Sequence, residues 1–170
     1  MNKILYVPNP ILRKKAKELK KVTTEDIEIS KNMTDIMLKA PGVGLAANQI
    51  GILKQIITIN IVNKENETNN TYALFNPIIT SYSEKKIIME EGCLSLPEQY
   101  AEVERSEEIV VKYLNEKNEK IQEKKNGFEA RVLQHEIDHL NGKLFVDYIS
   151  SLRRNKLIKR VKKLKKLGEI

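Results

Sequence analysis

The segment Gln134-His135-Glu136-Ile137-Asp138-His139-Leu140-Asn141-Gly142 holds both histidines of the 170-residue chain, four positions apart. On a helix, residues i and i+4 lie one above the other, so two imidazoles at this spacing can grip a single ion. Glu136 sits about 100° round the helix from His135, close enough to reach a water on that ion without ligating it. This is the H-E-x-x-H pattern of a hydrolytic metal site. The preceding run Glu129-Ala130-Arg131-Val132-Leu133-Gln134 favours helix, and Gly142 is placed to end it. An isolated histidine on a partly apolar helix is ordinarily a packing or surface residue. The only two in the chain, with a glutamate between them, point instead to a metal.

A catalytic ion of this kind takes three protein ligands and keeps a fourth position open. Working outward from the helix, the chain offers one cysteine, Cys93, inside Glu91-Gly92-Cys93-Leu94-Ser95-Leu96-Pro97. A lone cysteine is by default a small buried hydrophobe. Here the glycine before it and the proline after it make an irregular strand-edge segment, suited to presenting a side chain or a backbone N–H. One thiolate and two imidazoles would leave a tetrahedral site with a free place. Whether Cys93 meets the helix is not decided by local sequence.

Three blocks in this order, Gly42-Val43-Gly44-Leu45-Ala46-Ala47-Asn48-Gln49, Glu91 to Ser95, and Gln134 to His139, resemble the three motifs of the peptide deformylases, in the compact bacterial form. Pro8 to Arg13 and Asn76-Pro77 fit as well, so the resemblance covers nearly the whole chain. It implies that Cys93, His135 and His139 hold a divalent metal, Fe²⁺ in the native protein, with Zn²⁺, Ni²⁺ or Co²⁺ as alternatives. Glu136 would be the general base and acid. Gln49 would donate to the formyl oxygen of the substrate beside the backbone N–H of Leu94. The implied reaction is removal of formyl from N-formylmethionyl nascent peptides, releasing formate. The substrate would lie extended beside Gly44 and Leu94 to Pro97, its methionine in a pocket lined by Val43, Phe128 and Val132. Arg105 fits a family arginine expected to pair with Glu91 or Asp138.

Composition sets the wider bounds. A chain of this length is expected to form one domain and to bury about 70% of its unfolded surface. One cysteine excludes an internal disulfide and fits a reducing cytosol. No apolar run approaches the roughly 18 residues of a membrane helix, and Met1 to Tyr6 does not have the character of a signal peptide. Nine of the 30 basic residues and one of the 23 acidic ones lie between Leu152 and Ile170, which leaves 21 and 22 elsewhere, a balance of −1. The net charge of +7 therefore belongs to the tail.

The expected fold class is α+β: mixed or antiparallel sheets around the central H-E-x-x-H helix, with N-terminal and C-terminal helices outside. Residues 1–150 form the catalytic domain and 151–170 a basic amphipathic helix that extends it. Leu12 to Lys21 has weak helical character. Thr23-Thr24-Glu25-Asp26 starts a helix running to about Lys39 and burying Ile27, Met33, Ile36 and Met37. Gly42 to Gln49 is expected to be a loop whose glycines admit a substrate backbone. Gln55 to Val62 is a strand, Asn63 to Asn70 a polar turn and Thr71 to Asn76 the returning strand, broken by Pro77. Ile78 to Met89 is extended. Ile109 to Leu114 and Lys120 to Lys124 make a hairpin, and Asn126-Gly127 leads into the catalytic helix. Leu144 to Ile149 is a short apolar strand or extension. In the tail, Leu157, Val161 and Leu164 form an i, i+4, i+7 stripe with Ile158 and Leu167 beside it.

The basic face of that tail is by default solvated. Its sharper reading is an arm for an anionic surface, RNA phosphates or acidic lipids. The resemblance favours the ribosome, near the exit of the nascent chain. The expected protein is a cytoplasmic monomer that binds neither DNA nor membrane. Two other classes compete. A metallo-endopeptidase would take a third ligand downstream of the helix, where no further histidine exists and Glu169 is the only tail glutamate. A non-enzymatic ribosome- or RNA-binding module would explain the tail and leave the three blocks as coincidence.

Overall fold

The helix carrying the two histidines is walled in on both sides, and the rest of the chain is arranged to do so. The computed structural model describes residues 3–63 and 68–170. In chain order the elements are α1 (Thr24–Lys39), β1 (Gly44–Ala46), β2 (Ile56–Asn63), β3 (Thr68–Tyr82), β4 (Lys86–Cys93), β5 (Leu96–Ser106), β6 (Glu108–Leu114), β7 (Lys120–Asn126), α2 (Gly127–Leu140) and α3 (Ser151–Leu167). Five strands form one sheet in the order β1-β2-β3-β6-β7, and β4 and β5 form a separate hairpin. Every strand pair is antiparallel. The only parallel pairing among the described residues is an isolated bridge between Lys17 and Lys54.

Ten of the fourteen residues of α2 are buried. One side of the helix, with Ala130, Leu133, Ile137 and Leu140, packs on Ile57, Ile59, Leu74, Ile109 and Val111 of the five-stranded sheet. Another side, bearing Arg131 and Asp138, is tied to the β4–β5 hairpin by charged hydrogen bonds. Gly142, at φ 72°, turns the chain away just beyond the helix end, a conformation in which glycine lacks the Cβ penalty. The N-terminal helix α1 begins as expected: Thr23 and Asp26 form a reciprocal capping box. Its Met33 and Met37 are fully buried against Leu45, Ile56 and Phe75, each stabilising by about 1.5–3 kcal/mol. Ile36 is buried with them, and Ile27 only partly.

Several local expectations are corrected by pairings between distant residues. The Gly42 to Gln49 segment is not a loop: Gly44, Leu45 and Ala46 pair with Ile59, Thr58 and Ile57, and a 3-10 turn, Ala47–Ile50, follows. Leu12 to Lys21 forms no α-helix. After a 3-10 turn at Pro10–Arg13 it runs extended, fixed by Ala16 N to Leu140 O and Gln55 N to Lys17 O. β3 continues through Pro77, because the register slips between Phe75 and Ile78 and the missing N–H falls at that irregularity. The Ile78 to Met89 stretch divides into the end of β3 and the start of β4. Leu144 to Ile149 becomes a 3-10 turn, Phe145–Tyr148, in which the Asp147 carboxylate accepts from Leu144 N. In the expected polar turn, Asn69 and Asn70 instead pair with Val62 and Ile61; residues 64–67 lie outside the described residues.

α3 lies over a third cluster. Leu157 and Val161 are buried with Val7, Leu12, Val103 and Phe145, while Leu164 is half-buried and Leu167 is exposed. No described helix is long and apolar enough to cross a membrane.

Candidate active site

Cys93 ends β4, where the register slips and Cys93 comes opposite Leu96. That irregularity turns its sulfur toward α2. Cys93 Sγ stands 3.3 Å from His139 Nε2, and the two Nε2 atoms of His139 and His135 are 3.3 Å apart. All three donor atoms lie within 4.8 Å of one another. Two imidazole nitrogens bound to one ion at about 2.0–2.1 Å with tetrahedral angles are separated by about 3.3 Å. The residues therefore fit a divalent metal in both spacing and donor chemistry.

The donors are held by their neighbours. His135 Nδ1 donates to Glu91 Oε2 at 2.9 Å, which favours the tautomer whose Nε2 lone pair is available to a metal. Burial opposes a proton on His135, but its contacts with Cys93 and Glu91 outweigh it and raise its pKa well above 6.5. Burial and the adjacent His135 hold His139 well below that value. Burial would also raise Glu91; its bonds to His135 and Arg105 prevail and bring the carboxyl down to about 2. The Arg105 guanidinium reaches both expected partners, binding Glu91 through Nε and NH2 and Asp138 through NH1. Tyr148 adds a hydroxyl bond to Asp138 at 2.7 Å, and its ring lies under Arg105.

Glu136 is 4% exposed and its Oε2 has no hydrogen-bond partner. Burial pushes its pKa up to about 7. A Cβ at Gly44 would stand 2.8 Å from Glu136 Cγ and Cδ, so the absent side chain there makes room for the carboxylate. Gln49, 1% exposed, is oriented from both ends: Oε1 accepts from Ala46 N at 2.9 Å, and Nε2 donates to Ser95 Oγ at 3.1 Å and lies 3.6 Å from Cys93 Sγ. Leu94 is in the turn joining β4 to β5, with its side chain against Gly42.

A cleft of about 520 Å³ opens over these groups, and Cys93, His135, Glu136, Gln49 and Leu94 all line it. Val43, Gly44, Phe128 and Val132 line the same cleft. Val43 and Phe128 are exposed, whereas Val132 is buried. Sequence reasoning missed Ser95, Arg131 and Tyr148. Arg131 had a signal, its position one helical turn before His135, and Ser95 had one in its place at the end of the second motif block, though its partner Gln49 is 46 positions away. Tyr148 had none, because its partner Asp138 is brought to it by the 3-10 turn that follows α2.

Three metal-donor atoms beside a buried carboxylate with an unpartnered oxygen, at the floor of a largely apolar cleft, are the equipment of a metal-dependent hydrolase. Comparison with known proteins narrows that class. The polypeptide deformylase family profile matches residues 1–155, and the chain belongs to that family. It is 44% identical over 164 residues to a peptide deformylase of Mesorhizobium japonicum, covering 96% of this chain and 92% of the relative. The crystal structure of peptide deformylase from Ehrlichia chaffeensis superposes with a TM-score of 0.94 at 33% identity, over 100% of this chain and 99% of the other. A complex of the Ehrlichia chaffeensis enzyme with actinonin superposes at 0.90 with 36% identity, over 96% of each chain. The activity is accordingly metal-dependent hydrolysis of the formyl group from N-formylmethionyl peptides.

Proposed function

We propose that the reaction is carried out by Cys93, His135 and His139 as ligands of one divalent ion, with Glu136, Gln49 and the Leu94 backbone acting on the substrate. The observation that carries this reading is the meeting of Sγ and two Nε2 atoms beside a buried carboxylate with an unpartnered oxygen. A bound ion supplies Lewis acidity and lowers the pKa of water toward neutrality. Glu136 takes the proton of the attacking water and returns it to the leaving amine. Negative charge that develops on the formyl oxygen is met by the Gln49 amide and the Leu94 N–H. The substrate backbone lies along Gly44 and Leu94 to Pro97, adding to the outer edge of β1, the end strand of the five-stranded sheet. Its methionine occupies the space between Val43, Phe128 and Val132, all of which line the cleft.

The native ion is Fe²⁺; a thiolate with two imidazoles accepts Zn²⁺, Ni²⁺ or Co²⁺ as well. Anaerobic preparations should be more active than aerobic ones, and equal activity in air with zinc alone would count against iron. The protein acts as a cytoplasmic monomer, one catalytic domain over 1–150 with α3 as its extension, on chains emerging from the ribosome. The exposed lysines of α3 support contact with ribosomal phosphates. The decisive assay compares a formyl-Met peptide with its unformylated twin. Formate released from the first, with the second left intact, supports deformylation. Cleavage of internal bonds in both would make the protein an endopeptidase, and no turnover of either would leave a binding module.

A further inference from the structure

Cys93 comes from the β4–β5 hairpin and both histidines from α2, so the donor set exists only while these two elements keep a fixed distance. One side chain spans the gap more fully than the others. Arg131, 5% exposed, donates through NH1 to Glu91 Oε1 at 2.7 Å and to Val103 O at 3.0 Å. Its NH2 donates to Ile87 O at 2.5 Å. It thus holds β4 by a backbone carbonyl, β5 by a second, and the Glu91 carboxylate between them.

Glu91 is saturated by this arrangement. Oε1 accepts from Arg105 Nε and Arg131 NH1, and Oε2 from Arg105 NH2 and His135 Nδ1. Arg105 belongs to β5 and grips the carboxylate from its own hairpin. Arg131 and His135 grip it from α2, one helical turn apart. A carboxylate bound on four sides cannot rotate, and the imidazole bonded to it is fixed in turn. A guanidinium suits the task because its planar fork aims several donors at once.

We infer that Arg131 is a positioning residue of the metal centre, the strut that sets the Cys93 sulfur against the two imidazoles by tying the β4–β5 hairpin and Glu91 to α2. The inference rests on Cys93, His135 and His139 being the ligands. It predicts that Arg131 acts on metal binding and turnover rather than on substrate affinity.

The test uses purified full-length protein and two variants: Arg131→Met, which keeps the stem lining the cleft, and Arg131→Lys, which keeps stem and charge but loses the fork. Zn²⁺ affinity is measured by competition with a chromophoric chelator, and ligand geometry by the visible absorption of the Co²⁺-loaded proteins. Loss of an outer partner of a metal ligand lowers affinity about 10–100-fold, and that loss is expected for Met, with a smaller one for Lys. The Co²⁺ bands should shift in both. For a formyl-Met peptide, kcat should fall while KM stays near wild type. If Arg131→Met does not fold, the Lys variant decides alone. Wild-type Zn²⁺ affinity and an unshifted Co²⁺ spectrum, whatever the melting temperature, would overturn the inference and leave Arg131 as a brace for the fold. Failure of the wild type itself to bind Zn²⁺ or Co²⁺ would instead overturn the ligand assignment, and this inference with it.

Discussion

Glu136 is costly to bury as a charge, and its raised pKa of about 7 reflects that. A base near neutrality is also the one best matched to proton transfer at physiological pH. Replacing it by glutamine preserves shape and leaves the three donor atoms in place. Glu136→Gln is therefore expected to retain its metal and lose about 10²–10⁴-fold in turnover, measured by formate release alongside metal content. Near-normal turnover with metal bound would remove Glu136 from its role. Gly44 serves that carboxylate from outside the helix. A methyl group at 44 must displace it, since the Cβ would stand 2.8 Å from Cγ and Cδ. Such overpacking costs about 1–3 kcal/mol, and if the displacement is borne by the catalytic geometry, Gly44→Ala loses about ten- to a hundredfold in kcat. A kcat equal to wild type, read beside the melting temperature, would show that Glu136 need not sit where it does.

At the scale of elements, α1 illustrates how one end of a helix is fixed twice. Thr23 N and Oγ1 both donate to Asp26 Oδ2, and Lys54 donates to Oδ1 at 2.7 Å. Burial by itself would raise the Asp26 pKa; Lys54 and Thr23 outweigh it and hold the carboxyl below its ordinary 3.8. A carboxylate whose folded pKa is depressed stabilises fully above the unfolded pKa and loses that contribution as pH falls through the folded value. Asp26→Ala should cost about 1–2 kcal/mol at pH 7, with the gap to wild type narrowing as pH drops below 3.8. Urea unfolding midpoints across a pH series give the comparison. A gap that stays constant to low pH would mean that the charge on Asp26 contributes nothing and that neutral capping is the whole effect.

For the whole molecule, α3 is joined to the catalytic body through its apolar face. Leu157 and Val161 share a cluster with Phe145, whose ring stacks on His135 at 6.1 Å. Each of those aliphatic side chains contributes about 1.5–3 kcal/mol. Deleting residues after Ser151 should thus lower the melting temperature substantially, and loss of peptide turnover in such a truncation would report unfolding as much as function. Charge reversal on exposed positions separates the two. Lys159, Lys163 and Lys166 are exposed, and their joint replacement by glutamate should leave turnover of a short formyl-Met peptide unchanged. Co-sedimentation with ribosomes should weaken, and the log–log salt slope should flatten by about 0.7–0.9 for each phosphate no longer neutralised. Equal binding of the variant and wild type across the salt series would reduce the basic face to a solvated one.

Features set by neighbours in the chain were legible from sequence alone. The i, i+4 histidines with Glu136, the hydroxyl cap and acidic first turn of α1, the β6–β7 hairpin and the stripe of α3 each follow from a backbone period or a cap, which a few adjacent residues determine. Of the residues in the three motif blocks, Gln49, Cys93, Leu94, His135 and Glu136 line the cleft, as do Phe128 and Val132 from outside the blocks. What tertiary structure decided were the meetings across long separations. Cys93 reaches His139 across 46 positions and Arg131 reaches Glu91 across 40. Gly44 to Ala46 became a strand only because β2 supplied its partners, and Leu12 to Lys21 stayed extended because Leu140 and Gln55 bound its backbone. No local propensity encodes such pairings. They arise when burying the apolar faces of α2 and the sheet brings those segments within hydrogen-bond reach, and every buried N–H and C=O must then find a partner.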